Sequence, residues 1–473
     1  MAIKHGVYVS ERATSVSTPV VAECGIPFVI GAAPVQSAQT PAGIGIPVLC
    51  SSWDEFVDNF GYSDDWDSYN LCEFAYSHFK LYACQPVIFC NLLDPSTHRT
   101  AVAEASFSVS GHRVQLPISA IDDTDLVVKA GDPSATLVKD TDYSTFYNGE
   151  YLVVELISSS DYYDEATLKI AYDKVTAESV TANMVAEKID AIDLCMSTVG
   201  TVPDLICAPG YSHVSTVAAI MATKAASLNG VFQAKAIIDI DSTSSGVQTY
   251  SAIAAWKASH SLTDDNMILC WPMTSFGGKK GYMSTHIAGL MAQVDAGNGC
   301  PYESPSNKGL KIDGLVLADG TAVLQTKAQA DTVNSAGVVT ALNFLSSGWV
   351  CWGNFCAGYP SNTDVKDYFI PVSRMFDWVG NTLVKTFWSK LDKPMNRRLL
   401  DNIVDSTNIW LNGLVGGGYL LGARVEIKAE ENALTDLMAG IVKVHIYMTP
   451  SSPAQEIDFV LEYDVNYVTN ALS

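Results

Sequence analysis

Two signatures of a metal or redox centre are missing. No CxxC occurs, and none of the eight histidines stands at metal-ligand spacing from another. Basic residues are scarce: 28 Lys and Arg face 51 Asp and Glu, a formal net charge of −23. So acidic a chain lacks the cationic surface for wholesale contact with nucleic-acid phosphates or for docking on an anionic bilayer. No uninterrupted apolar stretch reaches the ~18 residues that would suggest a membrane span. The opening residues MAIKHGVYVSERATS contain no apolar segment of a secretory signal. These absences set the expectation of a chain folded in a reducing cytoplasm, with no cofactor, metal, nucleic acid or membrane insertion.

Core-forming material, by contrast, is plentiful. Hydrophobic residues make up 48% of 473, enough for two to four domains and too much for a disordered chain. The eleven cysteines are odd in number and irregularly spaced, and most lie in apolar runs such as PVIFCNLL and DLICAPG. That pattern predicts buried, reduced thiols and not a disulfide framework.

Along the chain, GVYVSER (6–12) reads as a short strand ahead of a Ser/Thr/Pro stretch and the apolar run GIPFVIGAAP. SSWDEFVDNFGY reads as a helix with Ser52 as N-cap and Gly61 at its end, followed by a helix over 71–81 and a buried strand over 86–93. Between 96 and 175 the texture becomes SFSVSG, DLVVKAG, YLVVELI and ATLKIAYD, punctuated by turn residues, which predicts a small all-β unit. From 178 to 344, strands DLICA, AKAIIDI and MILCWPM alternate with helices. One carries Val214, Val217, Ala218 and Met221 on a face, and the others are VQTYSAIAAWKAS and STHIAGLMAQV. Repeated βα units imply a parallel sheet covered by helices. Beyond 349 the pattern predicts helices over 372–391 and 398–414, strands ARVEIKA and VKVHIYMTP around a helical turn NALTDLMAG, and a last strand EIDFVLEYDVNYV. In that last run Ile457, Phe459, Leu461, Tyr463, Val465 and Tyr467 share one face.

The order of these landmarks resembles the tail sheath family of contractile phages, R-type bacteriocins and related injection systems. The carriers are GVYVSE, FVIGAAP, SSWDEFVDNFG, LICAPGYS with AIIDI, and above all WLNGLVGGGYLLGARVEI … NALTDLMAGIVKVHIYMTPSSPAQEIDFVLEYD. The resemblance implies a multidomain α/β and α+β subunit. Its expected parts are an N-terminal linking arm (1–19), an N-terminal part of the core (20–95), an inserted β-sandwich-like domain (96–177), a subtilisin-like α/β domain without a triad (178–348), and a C-terminal inner α+β domain (349–473). It implies six copies per ring, rings stacked around an inner tail tube, baseplate and terminator partners, and contraction that drives the tube through a target envelope. The implied location is the virion tail or an extracellular contractile particle, assembled in the bacterial host cytoplasm. Neighbouring subunits are expected to exchange terminal strands through Gly6, Val7, Tyr8, Val9, Ile457, Phe459, Leu461, Tyr463 and Val465. A lone strand on a tether and a long alternating strand suit such β-augmentation independently.

Other readings compete at specific residues. A cytoplasmic α/β hydrolase would draw on Asp239 or Asp241, His213 or His286, and Ser212 or Ser284, but no GxSxG elbow surrounds either serine. SFGGKKG (275–281) lacks phosphate-loop spacing and reads as a flexible surface loop. Asp122, Asp123 and Asp125 lack the Gly-then-Glu pattern of a calcium loop and read as an acidic turn. An acidic surface-layer or adhesin protein fits poorly with eleven cysteines and no signal. One cluster breaks the acidic background: Lys385, Lys390, Lys393, Arg397 and Arg398 fall within fourteen residues that hold a single acid, Asp392. It reads either as a solvated helix face or as an electrostatic docking face. The resemblance makes the inner tube the partner.

Overall fold

The computed structural model describes residues 17–131, 135–345, 348–464 and 467. The first hundred residues supply β1 (Pro27–Gly31), β2 (Val48–Cys50) and β3 (Val87–Asn91) with helices α1 (Trp53–Phe60) and α2 (Asn70–Ala75). α1 starts where the sequence predicts: the Ser52 side chain accepts from Glu55 N at 3.2 Å, and Gly61 closes the helix at φ +70°. α2 continues through a π-helical turn over Tyr76–Leu81.

Six strands follow as an inserted β module: β4 (Arg99–Ser108), β5 (Arg113–Pro117), β6 (Val127–Ala130), β7 (Tyr143–Tyr147), β8 (Tyr151–Leu156) and β9 (Thr167–Val175). They form two antiparallel three-stranded sheets, β4-β9-β6 and β5-β8-β7. Alternate residues of β5, β8 and β9 point inward to a core of their own, including Leu116, Val154 and Ile170.

The chain then resumes the βα pattern. Helices α3 (Ala182–Lys188) and α4 (Cys195–Thr198) lead to β10 (Leu205–Cys207), α5 (Ser215–Ala226), β11 (Lys235–Asp239), α6 (Ile253–Ser259) and β12 (Met267–Cys270). Val217, Ala218 and Met221 are the buried face of α5, while Val214 stands just before it. A small side sheet, β13 (Met273–Phe276), β14 (Lys279–Gly281) and β15 (Gly314–Val316), brackets α7 (Met283–Asn298). Helix α8 (Lys327–Ser335), β16 (Val338–Leu342) and β17 (Val350–Trp352) complete the unit.

The long sheet has the order β17-β16-β12-β11-β10-β1-β3-β2. Its six inner strands are parallel and both edge strands antiparallel. Five-residue runs buried at every position, such as β1, β3, β11 and β16, are what a sheet covered on both faces requires. The segments before and after the β insertion therefore share one sheet and one core.

The last section contains α9 (Val365–Tyr368), α10 (Ile370–Phe387), α11 (Arg397–Gly416), β18 (Leu420–Glu426), α12 (Leu434–Met438) and β19 (His445–Pro450). Met375, Trp378, Leu411 and Leu414 pack with Leu420 and Val425 in a third core. Buried Arg374 ties α10 to the sheet layer through Asp295 of α7 at 2.5 Å and Asp204 before β10 at 2.7 Å. Burial pushes the Asp295 carboxyl up against the pull of that guanidinium. One expectation is corrected here. The described part of EIDFVLEYDVNYV forms no strand, and 451–464 carries no regular structure. β18 and β19 pair with each other, and among the described residues no strand pairs with the alternating run, so its backbone has no ladder there.

Candidate functional site

Of the expected linking residues, Gly6, Val7, Tyr8, Val9 and Val465 lie outside the described residues. The others are fully presented to solvent: Ile457 is 69% exposed, Phe459 86%, Leu461 94% and Tyr463 80%. Four large apolar side chains thus alternate along a stretch that forms no strand with any of the described residues. The β18–β19 ribbon has two strands only, and no third strand flanks either edge among the described residues.

The other end of the chain is held down from Ser17 onward. Ser17 N donates to Ser406 Oγ (2.8 Å), Val20 N to Thr386 Oγ1 (2.9 Å) and Ala22 N to Thr382 Oγ1 (3.0 Å). Trp378 Nε1 donates to Ala22 O at 2.8 Å. Pattern reading missed Thr382, Thr386, Asn402 and Ser406. Their signal was a pair of small polar side chains four apart on each of two amphipathic helices.

The basic cluster does not act as one surface. Lys385 is mostly covered and pairs with Glu23 at 2.7 Å. Burial pushes the Glu23 carboxyl up, but hydrogen bonds from Lys385 and Thr201 outweigh it and hold it below its ordinary value. Lys385 is thus a tether of the N-terminal arm. Lys390, Lys393 and Arg398 line one open recess with Asn396 and Asn402, and Arg397 is 94% exposed, 3.7 Å from Asp401. Asn396 caps α11 by accepting from Leu399 N at 3.0 Å. Arg397 and Arg398 then occupy the first helical turn, where the macrodipole disfavours cations. These positions are not chosen for helix stability.

An open parallel sheet binds ligands where strand order reverses, beyond the strand carboxyl ends. Here that point lies between β1 and β10, and side chains fill it. Asn70 Oδ1 accepts from Ala32 N at 2.8 Å, while its amide nitrogen donates to Pro209 O. Asn91 Oδ1 accepts from Ala33 N at 3.0 Å. A Cβ at Gly31 would collide with Asn70, which is why this closure needs glycine there. The serine-hydrolase candidates are engaged otherwise. Ser212 and Ser284 both donate to buried Asp239, at 3.2 and 2.5 Å. Burial raises the Asp239 pKa despite those bonds. His286 faces the Tyr82 hydroxyl at 3.3 Å, and Asp241 accepts from Thr243 N at 2.8 Å. No hydrogen bond joins His213 or His286 to either serine among the described residues. This grouping stabilises a buried carboxyl and does not activate a nucleophile.

The 275–281 segment is a β-hairpin and not a flexible loop. Phe276 faces Lys279 across Gly277 and Gly278, whose φ values of +57° and +80° suit a tight primed turn. Its lysines are engaged: Lys279 with Asp64 at 2.6 Å and Lys280 with Ala318 O at 3.0 Å. In the acidic turn, the Arg99 guanidinium takes the place a cation would hold, 2.9 Å from Asp123 and 2.6 Å from Asp125. Asp122 pairs with Lys139 at 2.6 Å. All eleven cysteines are free; ten are buried and Cys24 is half-buried.

The described residues thus form a multidomain fold of mixed α/β build whose sheet crevice is filled by side chains. No family model matches the chain. Over 98% of its length it is 23% identical to the tail sheath protein of Burkholderia phage BcepMu, covering 97% of that protein. It is 24% identical to the tail sheath protein of Escherichia phage P2 over 48% of this chain and 57% of that one. Its fold is that of the PVC sheath of an extracellular contractile injection system in the contracted state, with TM-score 0.60 and 15% identity over 99% of both chains. The sheath tail protein of Desulfitobacterium hafniense aligns with TM-score 0.55 and 12% identity over 94% of this chain and 96% of that one. Over nearly its whole length the chain is similar to contractile tail sheath proteins.

Proposed function

We propose that this chain is the structural subunit of a contractile tail sheath, that six copies form each ring, and that stacked rings contract to drive an inner tube through a target envelope. The observation that carries this reading is the 457–463 stretch, whose alternate side chains are apolar and exposed and which forms no strand in this subunit, following a ribbon that has only two strands among the described residues. In a monomer both features are liabilities; in a lattice each completes the other by strand addition between copies. The subtilisin-like description of the long-sheet unit and the exchange of the 6–9 strand belong to the same proposal.

The inner tube is the proposed partner of Lys390, Lys393, Arg397 and Arg398, because cations at a helix start are strained electrostatically until a partner's carboxylates face them. Lys385 leaves that set. Baseplate and terminator proteins would meet the end rings, in a virion tail or an extracellular contractile particle built in a bacterial cytoplasm. The filled crevice supports a mechanical role over the hydrolase alternative. Negative-stain microscopy of the purified protein tests the reading. Striated tubes or stacked rings are expected. A monodisperse monomer at every concentration tried, with intact termini, sinks it.

A further inference from the structure

The N-terminal arm crosses α10 and α11 on a track that matches its own repeat. Two residues of extended chain advance about 6.6 Å, and one helical turn from Thr382 to Thr386 advances about 6 Å. Alternate arm N–H groups, Ala22 and Val20, therefore meet successive hydroxyls of α10, at 3.0 and 2.9 Å. On α11, two side chains one turn apart hold a single arm residue: Ser406 Oγ receives Ser17 N at 2.8 Å, and Asn402 Oδ1 receives the Ser17 hydroxyl at 3.0 Å. Thr382, Thr386 and Ser406 are all buried; the Ala22 bond lies fully inside, and the Val20 and Ser17 bonds are partly covered. At the core side the arm ends in a lock. Glu23 holds Lys385 at 2.7 Å and Thr201 at 2.9 Å, and Ile26 N donates to Asp204 Oδ1 at 2.7 Å. Asp204 is also a partner of buried Arg374 on α10. The main-chain donors of an irregular segment are thus satisfied by side chains of two helices, which serves no catalytic or ligand-binding end.

We infer that Thr382, Thr386, Asn402 and Ser406 form an anchoring track that fixes residues 17–26 to the subunit body, so that a load on the residues before Ser17 passes into α10, α11 and the Arg374 cluster. The inference rests on the sheath reading, since only a linked lattice loads the arm. Without the track, a strand held by a neighbour would pull its own arm loose, and subunits would separate while remaining folded.

The test compares full-length Thr382→Val/Thr386→Val, which keeps shape and removes two acceptors, with the hydroxyl-retaining Thr382→Ser/Thr386→Ser. Hydrogen exchange on the unassembled protein is expected to quicken at least ~tenfold at Val20 and Ala22 in the valine variant, with β11 amides unchanged and the serine variant near wild type. In assembly, the valine variant is expected to give short or fragmented tubes, and the serine variant tubes of wild-type length. Unchanged exchange in the valine variant overturns the anchor. Faster exchange with wild-type tubes overturns its role in linkage. If the valine variant does not fold, Ser406→Ala makes the same comparison at the Ser17 amide. Wild-type protein that forms neither rings nor tubes sinks the sheath reading instead, and exchange alone then decides the anchor.

Discussion

His78 is completely buried, lies flat against Phe74 with ring centres 4.5 Å apart, and has no hydrogen-bond partner at either nitrogen among the described residues. Burial, helped by the nearby His286, pushes its pKa down to about 3, and burial alone takes His286 down to about 4. Unfolded histidines titrate near ~6.5. Below that pH the unfolded chain gains protons at both sites while the fold does not, so these two groups cost stability as pH falls from about 6.5 towards 4 and 3. Glu73 and Asp239 act in the opposite sense, because burial raises both and the fold takes up their protons first. His78→Leu removes one proton from the balance. Its stability relative to wild type is expected to improve by up to about 1.4 kcal/mol per pH unit below 6.5. Urea denaturation at pH 7.5 and 5 checks this, and an identical difference at both values rejects it. His78 was legible only as one more residue of a predicted helix; nothing in its spacing told that both faces of α2 and its extension would be covered.

At the scale of single elements, the 457–463 stretch and the basic start of α11 are exposed and leave the subunit's own core untouched. Removing 456–473 takes away, among the described residues, exposed side chains and no strand, so the truncated chain is expected to unfold at the wild-type temperature. It is also expected to stay monomeric, since each copy loses a whole row of main-chain bonds to its neighbour. Size-exclusion chromatography and microscopy together decide; truncated chains that build sheaths of normal length place the mesh elsewhere. For the basic face, Lys393→Glu/Arg397→Glu/Arg398→Glu puts carboxylates at the α11 N-terminus, where the dipole favours them, so the monomer is expected to be no less stable. Co-expressed with its own tube protein, it is expected to give few tube-filled tails while still polymerising alone. Raised salt is expected to weaken the wild-type tube contact similarly, because exposed charges are screened beyond ~8–10 Å. Tube-filled tails at wild-type frequency would leave this face merely solvated.

The described residues form four apolar clusters, and the β insertion has one to itself. Its entry and exit lie side by side, since Arg99 of β4 pairs with Val175 of β9. Replacing 99–175 by a short Gly/Ser bridge is therefore expected to leave the long sheet folded. The excision is not free. Ile118, Ile121 and Val175 belong to the main core, and Gln36 Nε2 donates to Ile118 O at 2.9 Å. Losing three such side chains is expected to cost on the order of 4–9 kcal/mol. Circular dichroism and thermal unfolding of the excised chain measure the cost, and microscopy its assembly. A folded excision product that never polymerises places the insertion among the essential lattice contacts.

Local rules were enough wherever an element's pattern is written within a dozen residues. The Ser52 cap, the fully buried runs of β1, β3 and β11, the alternation of β8 and β9, and the exposed stripe at 457–463 all follow from side-chain period and turn chemistry. The sequence by itself also determined that the thiols would be buried and that no nucleophile elbow surrounds Ser212 or Ser284. Tertiary structure decided everything that depends on which distant segments meet. It joined β1 and β3 to β10 across a 113-residue gap (91 to 205), plugged the crevice with Asn70, gave Lys385 to Glu23, and left the 457–463 stripe without a ladder. Period and propensity report which face of an element is apolar, but a strand is completed only by a partner's backbone. For the described part of the last run, that partner is not among the described residues.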